Sequence, residues 1–379
     1  MHDYTQAVSF SFPTNIRFGC GVIKELPAHL KEQGFKRPFL VTDPNVAQLD
    51  FFKEIVNELS SAGLSTEVFH DIHKNPVKSD VLKGGDLYES TERDCVVGIG
   101  GGAGMDVARA IVLRINHRRD LFDYDGLIGG DKYVTEEAPY FITVPTTSGT
   151  GSEVGRSAII SEDETKRKRI LFAPKLLARQ VFADPELTFG LPAFITAATG
   201  MDALTHNMEA FLAKGYHPMC DGLALEAMRM ISESLETAAN NPEDKKARSE
   251  MMLASLMGAV AFQKGLGIVH ATAHPLSTLL DMHHGLANAM MIPYGMEYNQ
   301  AGLESKFEQM SKALNTNDVN QFLFDLKDKL QLPSGLKDLG VKEENLEDLT
   351  ELALNDFCLP ANPKEAEAKD IMNIYKKAM

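Results

Sequence analysis

What most limits how this chain can fold is a change of hydrophobic period part-way along it. In the first half, short uninterrupted apolar runs alternate with segments of helical spacing. Pro38-Phe39-Leu40-Val41-Thr42-Asp43 is one such run, Cys95-Val96-Val97-Gly98-Ile99 a second, and Tyr140-Phe141-Ile142-Thr143-Val144 a third, stopped by Pro145. Between them Leu49 to Ala62, Ser79 to Glu89 and Gly104 to Arg114 space their apolar residues as helices do, and Ser65 to Phe69 reads as a further strand. Strands that are apolar throughout need cover on both faces, which indicates a parallel sheet between two helical layers. Val8 to Phe12 and Asn15 to Phe18 read as a short hairpin around Pro13, offering an edge strand for pairing across a dimer.

The pattern changes between Pro185 and Pro192. From Ala193 onward the chain has no convincing strand, and amphipathic segments follow one another: Ala193 to Lys214, Cys220 to Ala239, Lys245 to Lys264, Val269 to Leu280, and more after Leu286. A 379-residue chain is longer than one core usually grows. The expected organisation is an α/β domain over residues 1–187 and an all-α domain over 188–379. Lys166-Arg167-Lys168-Arg169 reads mostly as a solvated turn, and there is no internal repeat or low-complexity tract.

Composition excludes some classes of function. Lys and Arg number 38 against 53 Asp and Glu, a net charge of −15. That balance opposes a general nucleic-acid binder and an anionic membrane surface, both of which call for clustered cations. No apolar run approaches a membrane span, and Met1-His2-Asp3-Tyr4 starts no secretory signal. Cys20, Cys95, Cys220 and Cys358 are too far apart for a CxxC pair, as expected of core residues in a reducing compartment. A cytoplasmic protein is expected.

Two loops follow buried strands. Gly98-Ile99-Gly100-Gly101-Gly102-Ala103-Gly104-Met105-Asp106 opens a helix, so its backbone can approach a phosphate at a positive dipole end. The spacing differs from the usual GxGxxG, and taken alone the run reads as a tight turn, but its place between a buried strand and a helix favours phosphate binding. The second loop, Pro145-Thr146-Thr147-Ser148-Gly149-Thr150-Gly151-Ser152-Glu153-Val154, offers hydroxyls where open α/β sheets bind ligands, or is a polar connection with caps. Asp43, closing its strand, either accepts both hydroxyls of an adenosine ribose and repels a 2′-phosphate, or starts the turn at Pro44.

Histidines cluster in the helical half. Asp202 and His206 are spaced i, i+4, as are His270 and His274, and Asp281-Met282-His283-His284-Gly285 follows. That spacing puts each pair on one helix face, and a carboxylate with several imidazoles suits Fe²⁺ or Zn²⁺. A lone histidine on an apolar face is more often a satisfied core residue. His217 reads as structural, and His2, His29, His70, His73 and His117 have no suggestive spacing.

At these segments the chain resembles the iron-containing (group III) alcohol dehydrogenases. The matching stretches are Gly100 to Asp106, Pro145 to Glu153, Asp184-Pro185-Glu186-Leu187-Thr188, Gly200-Met201-Asp202-Ala203-Leu204-Thr205-His206, His270-Ala271-Thr272-Ala273-His274-Pro275-Leu276 and His283-His284-Gly285-Leu286-Ala287-Asn288-Ala289. They fall in family order over nearly the whole chain. The resemblance implies a dehydroquinate synthase-like architecture, with a Rossmann-like NAD-binding domain, a helical domain and the metal in the cleft between. It implies Asp202, His206, His270 and His284 as ligands of Fe²⁺, with Zn²⁺ also accepted; His284 is chosen over His283 because the family ligand directly precedes the glycine. It implies cofactor contacts at Gly100, Gly101, Gly102, Asp106, Thr146, Thr147, Thr150, Lys168 and Leu187, and puts His274 beside nicotinamide and substrate. Ala103 stands where Ser is frequent, and His283 is an extra imidazole that either tunes substrate choice or packs.

The implied reaction is hydride transfer between a small alcohol and NAD, giving an aldehyde or ketone. The metal lowers the pKa of the alcohol, and His274 is the candidate proton relay. Alternatives within the superfamily are a hydroxyacid dehydrogenase or a hydroxyacid–oxoacid transhydrogenase, which need a cation for the substrate carboxylate, and dehydroquinate synthase, whose loops match less well. A catalytically silent nucleotide-binding protein is the reading from another class, opposed by the complete ligand set. The expected partner is a small-molecule alcohol or aldehyde, with no nucleic acid or membrane, and the chain is expected to form a homo-oligomer, a dimer or higher.

Overall fold

The computed structural model describes residues 14–379. The chain divides into two compact units: residues 14–147 with 151–188, and residues 148–150 with 189–379. The Val8–Phe12 arm of the expected hairpin lies outside the described residues.

The first unit is built on a six-stranded parallel sheet. Its strands are β1 (Asn15–Phe18), β2 (Pro38–Val41), β3 (Glu67–Phe69), β4 (Cys95–Gly100), β5 (Phe141–Pro145) and, after a separate antiparallel pair β6 (Ser157–Ser161) and β7 (Lys168–Phe172), β8 (Gln180–Ala183). Their order is β1-β8-β5-β4-β2-β3. Every residue of β2, β4, β5 and β8 is buried. Side chains alternate between the faces, as the strand period of two requires. Phe39, Val41 and Val96 join one apolar cluster, and Leu40, Cys95, Val97 and Ile99 join another. The unit's helices are α1 (Leu26–Glu32), α2 (Asp50–Ser61), α3 (Lys78–Ser90) and α4 (Gly102–Asn116).

The structure corrects three expectations here. Asn15–Phe18 pairs in parallel with β8 and is not a hairpin arm with a described partner. Lys168 and Arg169 lie in β7, not in a solvated turn; Arg169 is held by Asp125 and Glu162 at 3.1 and 2.9 Å. The glycine-loop helix begins at Gly102, inside the glycine run.

The second unit carries no strand among the described residues. Its helices are α5 (Ala193–Leu212), α6 (Pro218–Asn240), α7 (Lys245–Ala261), α8 (Ile268–Leu280), α9 (His284–Gln300), α10 (Glu304–Ala313), α11 (Val319–Lys329), α12 (Leu346–Leu354) and α13 (Ala368–Ala378). From Thr196 to Leu212 all but Thr199 is buried. A helix apolar on all sides belongs in the middle of a bundle. Its few polar side chains are therefore desolvated, and that sets their chemistry. No single helix among the described residues is long and apolar enough to cross a membrane.

Candidate functional site

In the sheet unit, chain direction switches between β2 and β4: β3 lies beyond β2 on one side, while β5 and β8 follow β4 on the other. Ligands of open α/β sheets sit at such a switch, beyond the strand C-termini. Asp43 follows β2 there, and Gly100 closes β4. Asp43 Oδ1 accepts from the backbone N–H of Asn45 and Val46 at 2.9 and 3.0 Å, so it does start the turn. Its Oδ2 faces the glycine loop, 3.7 Å from where a Cβ on Gly100 would stand. The turn thus aims the second oxygen. Gly100 has φ +152°, backbone that side-chain-bearing residues rarely adopt. Gly98 is required for packing, since a Cβ there would lie 2.8 Å from that of Ala108.

The second loop is stapled to the first. Thr146 N–H donates to the Gly100 carbonyl at 3.0 Å, and Thr147 lies 3.4 Å from a Cβ position on Gly101. Gly101 precedes α4 with no side chain capping the helix, which leaves first-turn N–H groups for another acceptor. Asp106 also makes a set of contacts within the sheet unit. Its Oδ1 accepts from Ser152 Oγ at 2.8 Å and Arg109 at 3.3 Å, and its Oδ2 from Ile159 N–H at 3.1 Å. Burial raises its carboxyl above the usual range, against Arg109, Ile159, Ser152 and Lys168. Asp106 ties α4 to the second loop and β6, with Lys168 close by. Leu187 is buried in the apolar cluster with Val46, Ile99 and Val144. Ser148, Gly149 and Thr150 group with the helical unit, where a Cβ on Gly149 would meet Thr199 at 2.8 Å.

In the helical unit, Asp202 and His206 from α5, His270 from α8 and His284 from α9 converge. Their nearest donor atoms all lie within 4.8 Å of one another. The Nε2 atoms of His206, His270 and His284 stand 3.9, 3.8 and 3.4 Å from Asp202 Oδ1. These exceed ordinary hydrogen bonds. Four donors about 2.1 Å from one tetrahedral ion would be about 3.4 Å apart, so the set fits a divalent cation. Asp202, His206 and His270 are buried, whereas the His284 side chain is 32% exposed, leaving the centre accessible on that side.

The electrostatics agree. Burial pushes the Asp202 carboxyl up, but His206, His284 and His270 outweigh it and hold it at about 2. Burial also holds His270 well below the ordinary histidine value. A neutral imidazole keeps the lone pair that coordination needs.

Of the neighbours that hold these donors, Glu209 lies in no motif that sequence reading could use, and Asn288 lies in the stretch His283 to Ala289 without being marked as a site residue there. Glu209, one helical turn beyond His206, accepts from His270 Nδ1 at 2.7 Å and from the N–H groups of Val269 and His270 at 2.6 and 3.2 Å. It turns the Nε2 of His270 towards Asp202 and caps the start of α8 at once. Burial pushes its carboxyl up to about 7, opposed by the N–H groups of Val269, Gly267 and His270. Asn288, one turn beyond His284, donates to Asp202 Oδ1 at 2.6 Å. For Glu209 the trace in the sequence is spacing, seven residues after Asp202; Asn288 follows His284 by four within the matching stretch. Gly285 is needed for contact between α9 and α5, because a Cβ would stand 2.4 Å from the Ala198 carbonyl. His283 caps α9, accepting from Leu286 N–H at 3.4 Å. His274 is not among the converging four. Its Nδ1 lies 2.8 Å from Asp356 Oδ2, and its ring stacks with those of His284 and Phe357.

A glycine loop at the switch point of a parallel sheet, and a buried carboxylate–imidazole centre, fit the class of proteins that handle a nucleotide and a divalent metal. Comparison with known proteins makes this specific. Residues 13–185 match the family "Iron-containing alcohol dehydrogenase", and residues 196–379 match its C-terminal part. The chain is 37% identical to a 4-hydroxybutyrate dehydrogenase of Cupriavidus necator, over 97% of this chain and 98% of that one. It is 33% identical to an NAD-dependent methanol dehydrogenase of Bacillus methanolicus, over 98% of this chain and all of that one. A crystal structure of 1,3-propanediol oxidoreductase superposes with a TM-score of 0.94, at 32% identity, covering 99% of this chain and 100% of that one. The chain belongs to the iron-containing alcohol dehydrogenase family. It is an NAD- and metal-dependent oxidoreductase that interconverts an alcohol and its aldehyde or ketone by hydride transfer.

Proposed function

We propose that Asp202, His206, His270 and His284 hold one divalent ion, with Fe²⁺ as the resident and Zn²⁺ as an alternative. The convergence of one carboxylate oxygen and three imidazole Nε2 atoms in a desolvated place carries this reading. A divalent ion held there acidifies an alcohol hydroxyl or polarises a carbonyl. Glu209 keeps the His270 donor facing inward, and Asn288 orients Asp202. His274, stacked on His284, is the group that takes the alcohol proton during oxidation and returns it during reduction.

Residues 1–187 are proposed as the NAD-binding domain and 188–379 as the metal and substrate domain. Gly100, Gly101 and Gly102 would receive the pyrophosphate with Thr146, Thr147 and Thr150, and Asp43 the ribose. Lys168, Leu187 and His274 complete the proposed cofactor contacts, and Asp106 acts by holding the second loop.

The substrate proposed is a short primary alcohol and its aldehyde, the chemistry named for the methanol and 1,3-propanediol relatives. A short hydroxyacid with a terminal hydroxyl is the second reading, favoured by the 4-hydroxybutyrate dehydrogenase relative. A cytoplasmic homo-oligomer, a dimer or higher, is proposed as well, with light scattering on purified protein as its check.

The test is metal content and turnover in His270→Ala and His284→Ala. Both variants should lose most bound metal and nearly all turnover, while His274→Ala keeps its metal and loses rate. Full occupancy in both ligand variants overturns the assignment. Metal loss in His274→Ala equal to that in His270→Ala reverses the two roles. NADH absorbance with 1-propanol, 1,3-propanediol and 4-hydroxybutyrate separates the two substrate readings.

A further inference from the structure

Helix α8 presents His270 and His274 one turn apart, and each has its Nδ1 on a carboxylate from another part of the helical unit. For His270 the partner is Glu209 of α5. For His274 it is Asp356, in the segment Asn355–Cys358 that follows α12. Asp356 is itself fixed: its Oδ1 accepts from Cys358 N–H at 2.9 Å, and its side chain is 9% exposed. The next residue, Phe357, stacks on the His274 ring at 5.2 Å and 25°, and His284 stacks on it at 5.4 Å and 17°. The plane of the imidazole is thus set by two rings and its rotation within that plane by one carboxylate.

An ionised carboxylate only accepts hydrogen bonds. The nitrogen facing it must carry the hydrogen, and the other nitrogen then holds the lone pair. We infer that Asp356 is the positioning residue for proton transfer: it holds His274 in the Nδ1–H tautomer and leaves Nε2 as the proton acceptor. This rests on the reading of His274 as the proton-carrying group. During alcohol oxidation the hydroxyl proton passes to Nε2, and the resulting imidazolium stays hydrogen-bonded to Asp356. During carbonyl reduction the same proton returns to the oxygen. The same device serves two ends on one helix face, an inward donor at His270 and a base at His274. The Asn355–Cys358 segment stands over sixty residues from any metal-donor motif, so its part in the site is visible only in the fold.

The test uses full-length, zinc-loaded protein labelled with ¹⁵N-histidine, with the His274 signals assigned by loss in His274→Gln. In the unmodified protein, long-range ¹H–¹⁵N correlations should show His274 protonated at Nδ1 and bare at Nε2. Asp356→Asn offers an amide donor as well as an acceptor, and should move His274 towards the Nε2–H form. That variant should keep its zinc and its KM for the alcohol within about twofold, and lose about 10- to 100-fold in kcat. Asp356→Glu should recover part of the rate and the original nitrogen pattern. In a His274→Gln background, Asp356→Asn should cost no further rate.

An unaltered His274 pattern in Asp356→Asn overturns the inference, as does an equal rate loss in the His274→Gln background or loss of zinc in step with activity. If His274→Gln alone turns over at the unmodified rate, the proton-carrying reading falls and takes the rate effect with it. The nitrogen pattern still judges independently whether Asp356 sets the tautomer.

Discussion

At the scale of single residues, one carboxylate can serve two purposes when its oxygens point different ways. Asp43 spends Oδ1 on the turn at Asn45 and Val46, and its Oδ2 is left facing Gly100. A ribose with free 2′ and 3′ hydroxyls can donate to that oxygen, whereas a 2′-phosphate meets a like charge. Asp43→Gly should therefore narrow the ratio of kcat/KM for NAD over NADP, mainly by improving NADP, by about tenfold or more. Steady-state kinetics with both cofactors checks this, and an unchanged ratio would leave Asp43 with its turn alone. His283 and His217 show the opposite economy. Each caps a helix through Nδ1, accepting from Leu286 and Cys220 N–H respectively.

At the scale of elements, the centre is held by connections between helices. Glu209 of α5 binds the ring of His270 and two N–H groups at the start of α8, so it fixes both the imidazole and the helix that carries it. Glu209→Gln keeps the size but loses the acceptor at one position and the charge at both. Metal affinity should fall about 10- to 100-fold, as for other groups that orient metal-binding histidines. Competition with a chromophoric chelator measures it, and affinity equal to the unmodified protein would reduce Glu209 to a helix cap. In the sheet unit the comparable tie is Asp106, which joins α4 to Ser152 and to Ile159 of β6.

At the scale of the whole molecule, buried ionisable groups make stability depend on pH. Glu153 is 1% exposed, and no other described residue hydrogen-bonds to its carboxylate oxygens. Burial raises its carboxyl to about 7, with Arg109 pulling the other way. Between the ordinary glutamate value and about 7 the folded state binds more protons than the unfolded state. Stability from this group is therefore complete below the ordinary value and is lost as pH rises through about 7. Glu153→Gln removes the charge that must be buried, and should raise stability at pH 8 by on the order of 2 kcal/mol, with little change at pH 5. Urea unfolding at the two pH values checks it, and equal shifts at both would mean that packing, not ionisation, is at work.

The sequence alone determined the layers and which polar side chains share a helix face. Continuous apolar runs such as Cys95–Ile99 need a sheet covered on both faces, and the i, i+4 pair Asp202 and His206 must share a helix face, because both periods are properties of the backbone. What is not periodic was not legible. The pair β6–β7 went unread, and Arg169 took the look of a solvated residue because its partners Asp125 and Glu162 are set by the fold. By spacing His270 and His274 look equivalent, one turn apart on α8, and the family resemblance distinguishes them without a physical reason. Tertiary structure supplies that reason, by bringing Glu209 to one and Asp356 to the other and leaving one Nε2 among the donors around Asp202. A helix period fixes which side chains lie on one face of one element. Which buried carboxylate meets an imidazole depends on how distant elements pack, and that packing fixes tautomer, charge and role.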